Sequence, residues 1–148
     1  MAQSAEVDRL RERGAVDLHR ICSSFVGKIN AKLSEPTVLL DPPTYSESDY
    51  IDTGINFFQI NLRGRILQIQ FARTTKLFES DDFRYEYVLR GAVRAFNQDL
   101  LDNSTVDEIM IFYCPRKDSA HWYFFDGRTY RTGRVGENYL ISELERLL

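Results

Sequence analysis

An α+β fold, with an antiparallel sheet of about five or six strands, a long N-terminal helix and a short C-terminal helix, is predicted by three features of this sequence. Apolar residues recur every three or four positions near both ends, the runs between them alternate on a period of two, and turn dipeptides such as Arg63-Gly64 and Asp126-Gly127 punctuate those runs. A chain of 148 residues suits one domain, 1–148. Within it the helical segment covers about 5–33, the sheet region about 37–134 and the C-terminal helix about 137–147.

In the first segment Leu18, Ile21, Cys22, Phe25, Ile29 and Leu33 fall on one helical face, the stripe a core requires. Gly14 weakens the middle of this helix. Pro36 disfavours helical geometry just before it, so the helix should stop near Ser34. His19 is expected on the exposed side. The next stretch, TVLLDPPTYSESDYIDT, joins a short apolar run to Pro42-Pro43 and to acidic residues with no lysine or arginine among them. Paired prolines stiffen a chain and clustered carboxylates keep it hydrated, which predicts a surface loop.

INFFQINLRGRILQIQF divides cleanly if Arg63 and Gly64 form a two-residue turn. Asn56, Phe58, Ile60 and Leu62 then share a face with Phe71, Ile69, Leu67 and Arg65. The opposite face carries Phe57 with Gln70, Gln59 with Gln68, and Asn61 with Ile66, a row rich in side-chain amides. A one-residue slip would scramble the division, so the register is specified by the pattern. FRYEYVLRGAVRAFNQDLL is compatible with either element. Its Tyr-Glu-Tyr-Val opening and the interior Gly91 favour a strand with Tyr85, Tyr87, Leu89, Val93 and Ala95 on one side. DEIMIFYCP is apolar from Ile109 to Cys114, the mark of a central strand covered on both faces, and Pro115 ends it.

HWYFFDGRTYRTG reads as a second hairpin, with Asp126-Gly127 as a two-residue turn. Trp122, Phe124 and Arg131 then share one side, and His121, Tyr123, Phe125 and Tyr130 the other. Both sides are aromatic, so one should pack beneath a helix while the other is partly covered or open to a ligand. Arg131 stacked across Trp122 would add about 0.5–2 kcal/mol. GENYLISELERLL closes the chain as a short amphipathic helix after Gly136.

Composition narrows the function classes. Hydrophobic residues at 43% and charged residues at 28% fit a folded domain, and the aromatic share of 13% supplies interface anchors as well as core. There is no run of about 18 apolar residues and no apolar leader, so no membrane role and a cytoplasmic location are expected. Cys22 and Cys114 stand alone and read as buried thiols. Phosphate-binding loops, dinucleotide-binding glycine patterns, HExxH and GxSxG are all missing, so no cofactor or metal is implied.

Three function classes follow. The leading one is a non-enzymatic adaptor or accessory module that binds another protein through a sheet face and an Arg/aromatic hairpin. Its binding residues are Trp122, Tyr130, Arg128, Arg131 and Arg134 together with Gln59, Gln68 and Gln70, and a second copy of the chain, forming a homodimer, is one candidate partner. The alternative is an accessory protein for RNA or single-stranded DNA. Arg63, Arg65, Arg73, Arg84, Arg90 and Arg94, with Arg116, Lys117, Arg128, Arg131 and Arg134 around the aromatic hairpin, supply the arginines. A net charge of -3 weighs against it. The third is a small hydrolase or nuclease resting on His121, or on the carboxylates of Glu79, Asp81 and Asp82.

Overall fold

The computed structural model describes residues 2–35, 37–78, 86–97, 107–116 and 119–145. Helix α1, Ala2–Lys32, is followed by seven strands: β1 Val38–Asp41, β2 Asn56–Leu62, β3 Arg65–Phe78, β4 Tyr87–Asn97, β5 Asp107–Pro115, β6 Ala120–Asp126 and β7 Arg131–Arg134. Helix α2, Glu137–Glu145, ends the described chain. The strands lie side by side in chain order, each antiparallel to the next. The fold is therefore α+β, with seven strands where five or six were expected. The additional strand is the edge β1, which grows from the short apolar run before Pro42; β7, the return strand of the second hairpin, is the four-residue RTGR.

The first hairpin has the register its alternation predicts, from Asn56 opposite Phe71 to Leu62 opposite Arg65. Arg63 and Gly64 both take positive φ, 51° and 88°, the combination a two-residue turn needs to match strand twist. Residues 87–97 are strand, as the local pattern favours, and β5 is covered on both faces from Ile111 to Cys114.

Both helices pack on the same face of the sheet. Ala15, Leu18, Cys22 and Phe25 of α1 and Leu140 and Leu144 of α2 share one buried cluster with Phe58, Ile60, Leu67, Ile69, Phe71, Ile111 and Trp122. Gly14 has a packing purpose: a Cβ there would lie 2.6 Å from the Tyr113 ring, and its carbonyl accepts the Trp122 Nε1–H at 2.7 Å. His19, expected outside, is only 5% exposed. Its Nε2–H donates to the Pro42 carbonyl at 2.7 Å, and its ring packs against both Tyr45 and Phe58, which also touch each other. The loop after β1 is a surface loop, as expected, with Pro43, Thr44 and residues 46–49 exposed, but Pro42 and Tyr45 anchor it over the helix.

That loop has its own polar centre. Asn56, buried at the start of β2, accepts hydrogen bonds from Tyr45 Oη at 3.1 Å and the Ile51 amide at 2.9 Å, and donates to the Ile51 carbonyl. At the sheet edge the Asn30 side chain bonds both the N–H and the carbonyl of Val38, each at 3.0 Å. A helix side chain thereby occupies backbone groups that an edge strand would otherwise offer to another chain.

Between Arg73 and Phe78 the β3–β4 register shifts, since Arg73 faces Leu89 whereas Phe78 faces Tyr87. The bulge turns Tyr87 onto the outer face, where it joins Phe112, Cys114 and Phe125, while Val88 and Leu89 both enter the helix-side cluster. Placing Tyr87 and Leu89 on one side is therefore incorrect, because strict alternation fails across a bulge. The inserted backbone is held by Arg11 of α1, buried at 6% exposure. Its Nη2 donates to the Thr74 carbonyl at 2.8 Å and its Nε to the Val88 carbonyl at 3.2 Å.

Candidate functional site

With both helices on one face, the other face of the sheet is closed where Tyr87, Phe112, Cys114 and Phe125 are buried together and open beside them, over β2 to β4. Two rows of side chains cross it in register. One runs Phe57, Gln70, Ala92, Met110, Phe125, Thr132, and the next Ala72, Arg90, Phe112, Tyr123, Arg134. Small residues at 72 and 92 lie between larger ones, and the surface sinks there into an open depression of about 470 Å³. Its lining includes Ile55, Gln70, Ala72, Ala92 and Met110, with Arg73, Arg90 and Glu108 supplying its charged groups. Ile55 and Phe57 stand at 64% and 43% exposure on its flank.

The charges around the depression are mostly matched within the chain. Arg94 and Glu108, directly opposite across β4 and β5, pair at 2.7 Å, and Arg73 pairs with Asp52 at 2.7 Å. Gln68 Nε2–H donates to Gln59 Oε1 at 3.2 Å, so this amide row finds partners across its own strands. Among the described residues Arg90 makes no hydrogen bond or ion pair, which makes it the unmatched cation of the depression.

The residues expected to bind are only partly brought together. Gln59, Gln68 and Gln70 lie half-buried on the open face. Tyr130, 75% exposed, sits at its far edge with its ring 6.3 Å from that of Phe125. Arg128 is in the β6–β7 loop, folded back on Asp126. Trp122, at 2% exposure, lies in the core beneath α1 and is withdrawn from the outer face of the sheet. Arg131 is on the helix side opposite Asp126, and Arg134 meets His121.

The cause is the turn. Residues 127–130 form a four-residue loop in which Tyr130 adopts φ 56°, so Asp126 faces Arg131 and Trp122 hydrogen-bonds Val135. The two-residue Asp126-Gly127 reading shifts the hairpin register, and the Arg131–Trp122 stack falls with it. A cation does lie over an aromatic ring on the open face, but it is Arg116, 5.2 Å from the centre of Tyr123. The residues that sequence reasoning left out of the binding set, Ala72, Arg90, Ala92 and Met110, carry one signal in the sequence: they alternate with core positions in β3, β4 and β5.

Cys114 and His121 are direct cross-strand neighbours. They are not arranged as a nucleophile and its base. Burial pushes the Cys114 thiol up to about 12, and its Sγ–H is directed at the Phe112 carbonyl, 3.7 Å away. The His121 ring instead contacts Arg134 and, at 3.0 Å, Ser119 Oγ. A reactive cysteine needs its thiolate stabilised, and this environment does the opposite. Glu79, Asp81 and Asp82 lie outside the described residues. No helix among the described residues is long and apolar enough to cross a membrane. No protein-family model matches the chain, and comparison with curated proteins and with solved structures finds no significant match.

Proposed function

We propose that this chain is a non-enzymatic binding module that receives a partner protein on the open face of its sheet, over the depression between Phe57 and Met110. The observation that carries this reading is the division of the sheet. Both helices cover one face, and the other bears an apolar hollow bordered by Gln70 and by matched charges, where Arg90 is the one charged lining group with no ion pair among the described residues. Protein interfaces are built this way, with a desolvated apolar centre inside a polar rim. The partner suited to it presents an apolar side chain to the hollow and a carboxylate to Arg90. Nucleic acid fits less well, because Arg73 and Arg94 already face carboxylates and the chain carries a net charge of -3.

Affinity capture from the protein's native cells, with the parent and an Arg90→Glu, Met110→Asp variant side by side, tests this. Both positions are at least partly exposed, so the variant should keep its thermal midpoint. The expected result is a specific protein held by the parent and lost by the variant. Equal recovery by both would move the interface elsewhere. Binding to mixed oligonucleotides that falls steeply with salt would replace the protein partner by nucleic acid.

A further inference from the structure

A second constellation lies apart from the hollow, where the sheet runs out. β7 ends at Arg134, opposite Tyr123, so His121 and Trp122 of β6 extend beyond their neighbour. The α1 segment from Asp17 to Ile21 crosses nearby, and between them is a cavity of about 320 Å³. Its ionisable lining comprises Asp17, Arg20, His121, Arg134 and Tyr113, while Trp122 and Val135 are among its apolar walls.

The charges in this cavity do not cancel. Arg20 and Asp17 pair at 3.3 Å, and Tyr113 Oη, 3.5 Å from Asp17, stays protonated because burial pushes it up to about 12. Arg134 has no carboxylate partner among the described residues; its Nη2 donates to His121 Nδ1. A guanidinium held against an imidazole forbids a second positive charge on the ring. Burial first, then Arg134, holds the His121 pKa below its ordinary value, Arg116 adds to this, and Asp17 opposes it. Glu137, next to the lining Gly136, is turned to Lys28 and Ser24 at 2.5 Å each. Among the described residues one cation is therefore uncompensated, and a second becomes available if something separates Arg134 from the ring.

We propose that this cavity binds a small phosphate monoester, with the phosphate seated among Arg134, His121 and Arg20 and the organic group against Trp122 and Val135. The guanidinium fork matches phosphate oxygens, and an oxyanion between Arg134 and His121 turns a like-charge contact into two charge-assisted ones. Charge matching selects a dianion over a carboxylate. With Arg20 and Asp17 balancing each other, Arg134 and protonated His121 together offer two positive charges. The volume is near the lower end of small-molecule sites, about 300–1,000 Å³, which suits a phosphate with one ring and excludes a polymer. Binding draws a proton onto His121, so affinity falls as pH rises through the pKa of His121 in the complex.

The chain has only two histidines, so imidazole NMR reports this site directly, with buried His19 as internal control. Phenyl phosphate in the millimolar range should shift the His121 resonances and raise their titration midpoint while leaving His19 unmoved. Inorganic phosphate should do the same more weakly, and benzoate should bind at least about tenfold more weakly than phenyl phosphate, a difference of about 1.4 kcal/mol. Arg134→Gln and Arg20→Gln should each weaken phenyl phosphate binding several-fold. Unmoved His121 resonances, unaltered affinity in both variants, or benzoate binding as tightly as the phosphate would each overturn the proposal. Sedimentation with phosphatidic acid vesicles, lost in Arg134→Gln, would transfer the phosphate to a lipid and overturn the soluble ligand.

Discussion

Replacing Arg11 with methionine should destabilise the fold by about 3 kcal/mol, although methionine fills much of the same space. Arg11 is the buried clamp of the β3–β4 bulge, and its bonds to the Thr74 and Val88 carbonyls reach strand backbone that the shifted register leaves outside the regular ladder. Removing it leaves two buried acceptors without their donors, each costing about 1–3 kcal/mol. The link to Asp8, whose side chain is 55% exposed, contributes little by comparison. Thermal unfolding should show the midpoint lowered by roughly 10 °C. An unchanged midpoint would mean that the bulge is held by other groups.

Gly91→Ala should cost a similar amount, about 3 kcal/mol, through a different mechanism. A Cβ at this position would lie 2.2 Å from the Gln70 carbonyl oxygen and 2.7 Å from Phe71 Cβ. The first obstacle is backbone in the middle of a seven-stranded sheet, so no rotamer change relieves it. Strand β4 must move away from β3 at the floor of the hollow, breaking ladder bonds on both sides. Denaturant titration should lower the midpoint with little change in slope. A stable Gly91→Ala protein would show that the two strands are further apart here than the structure places them.

The parts of the fold legible in the sequence are those where one local signal is sufficient. Residues 56–71 combine strict alternation with a turn dipeptide of suitable dihedrals, so face and register follow together. The stripe Leu18, Cys22, Phe25 is equally direct, because helical spacing alone selects the buried face. The second hairpin fails on its turn. The positive φ falls on Tyr130, a residue type with no preference for that conformation, while the adjacent Asp126-Gly127 advertises a tighter loop. That error sets Arg131 opposite Trp122, whereas Arg131 lies opposite Asp126, four residues along the same side of β6.

Other features depend on partners distant in the chain. Gly14 looks like a helix weakness until Tyr113 and Trp122 are laid against it, and His19 looks exposed until the Pro42 loop folds over it. The bulge that reverses Tyr87 leaves no mark in residues 84–97 themselves, since its clamp is Arg11. For the candidate site, the amides and the existence of an open face were readable. The hollow was not, because it depends on Ala72 and Ala92 meeting across two strands whose register is set elsewhere.

The central claim is that the hollow on the sheet face opposite the helices is open and available to a partner. The chain has two methionines, one at position 1 and Met110 in the hollow, so methyl labelling of methionine gives one signal from this face. Isoleucine methyl labels add Ile55 as an exposed reference and Ile69, fully buried, as a protected one. The decisive measurement is line broadening of these methyl signals by a soluble paramagnetic agent. The account predicts that Met110 broadens markedly, as Ile55 does, while Ile69 stays sharp. A Met110 signal as protected as that of Ile69 would mean that the chain covers this face itself, and the proposed docking surface would not exist.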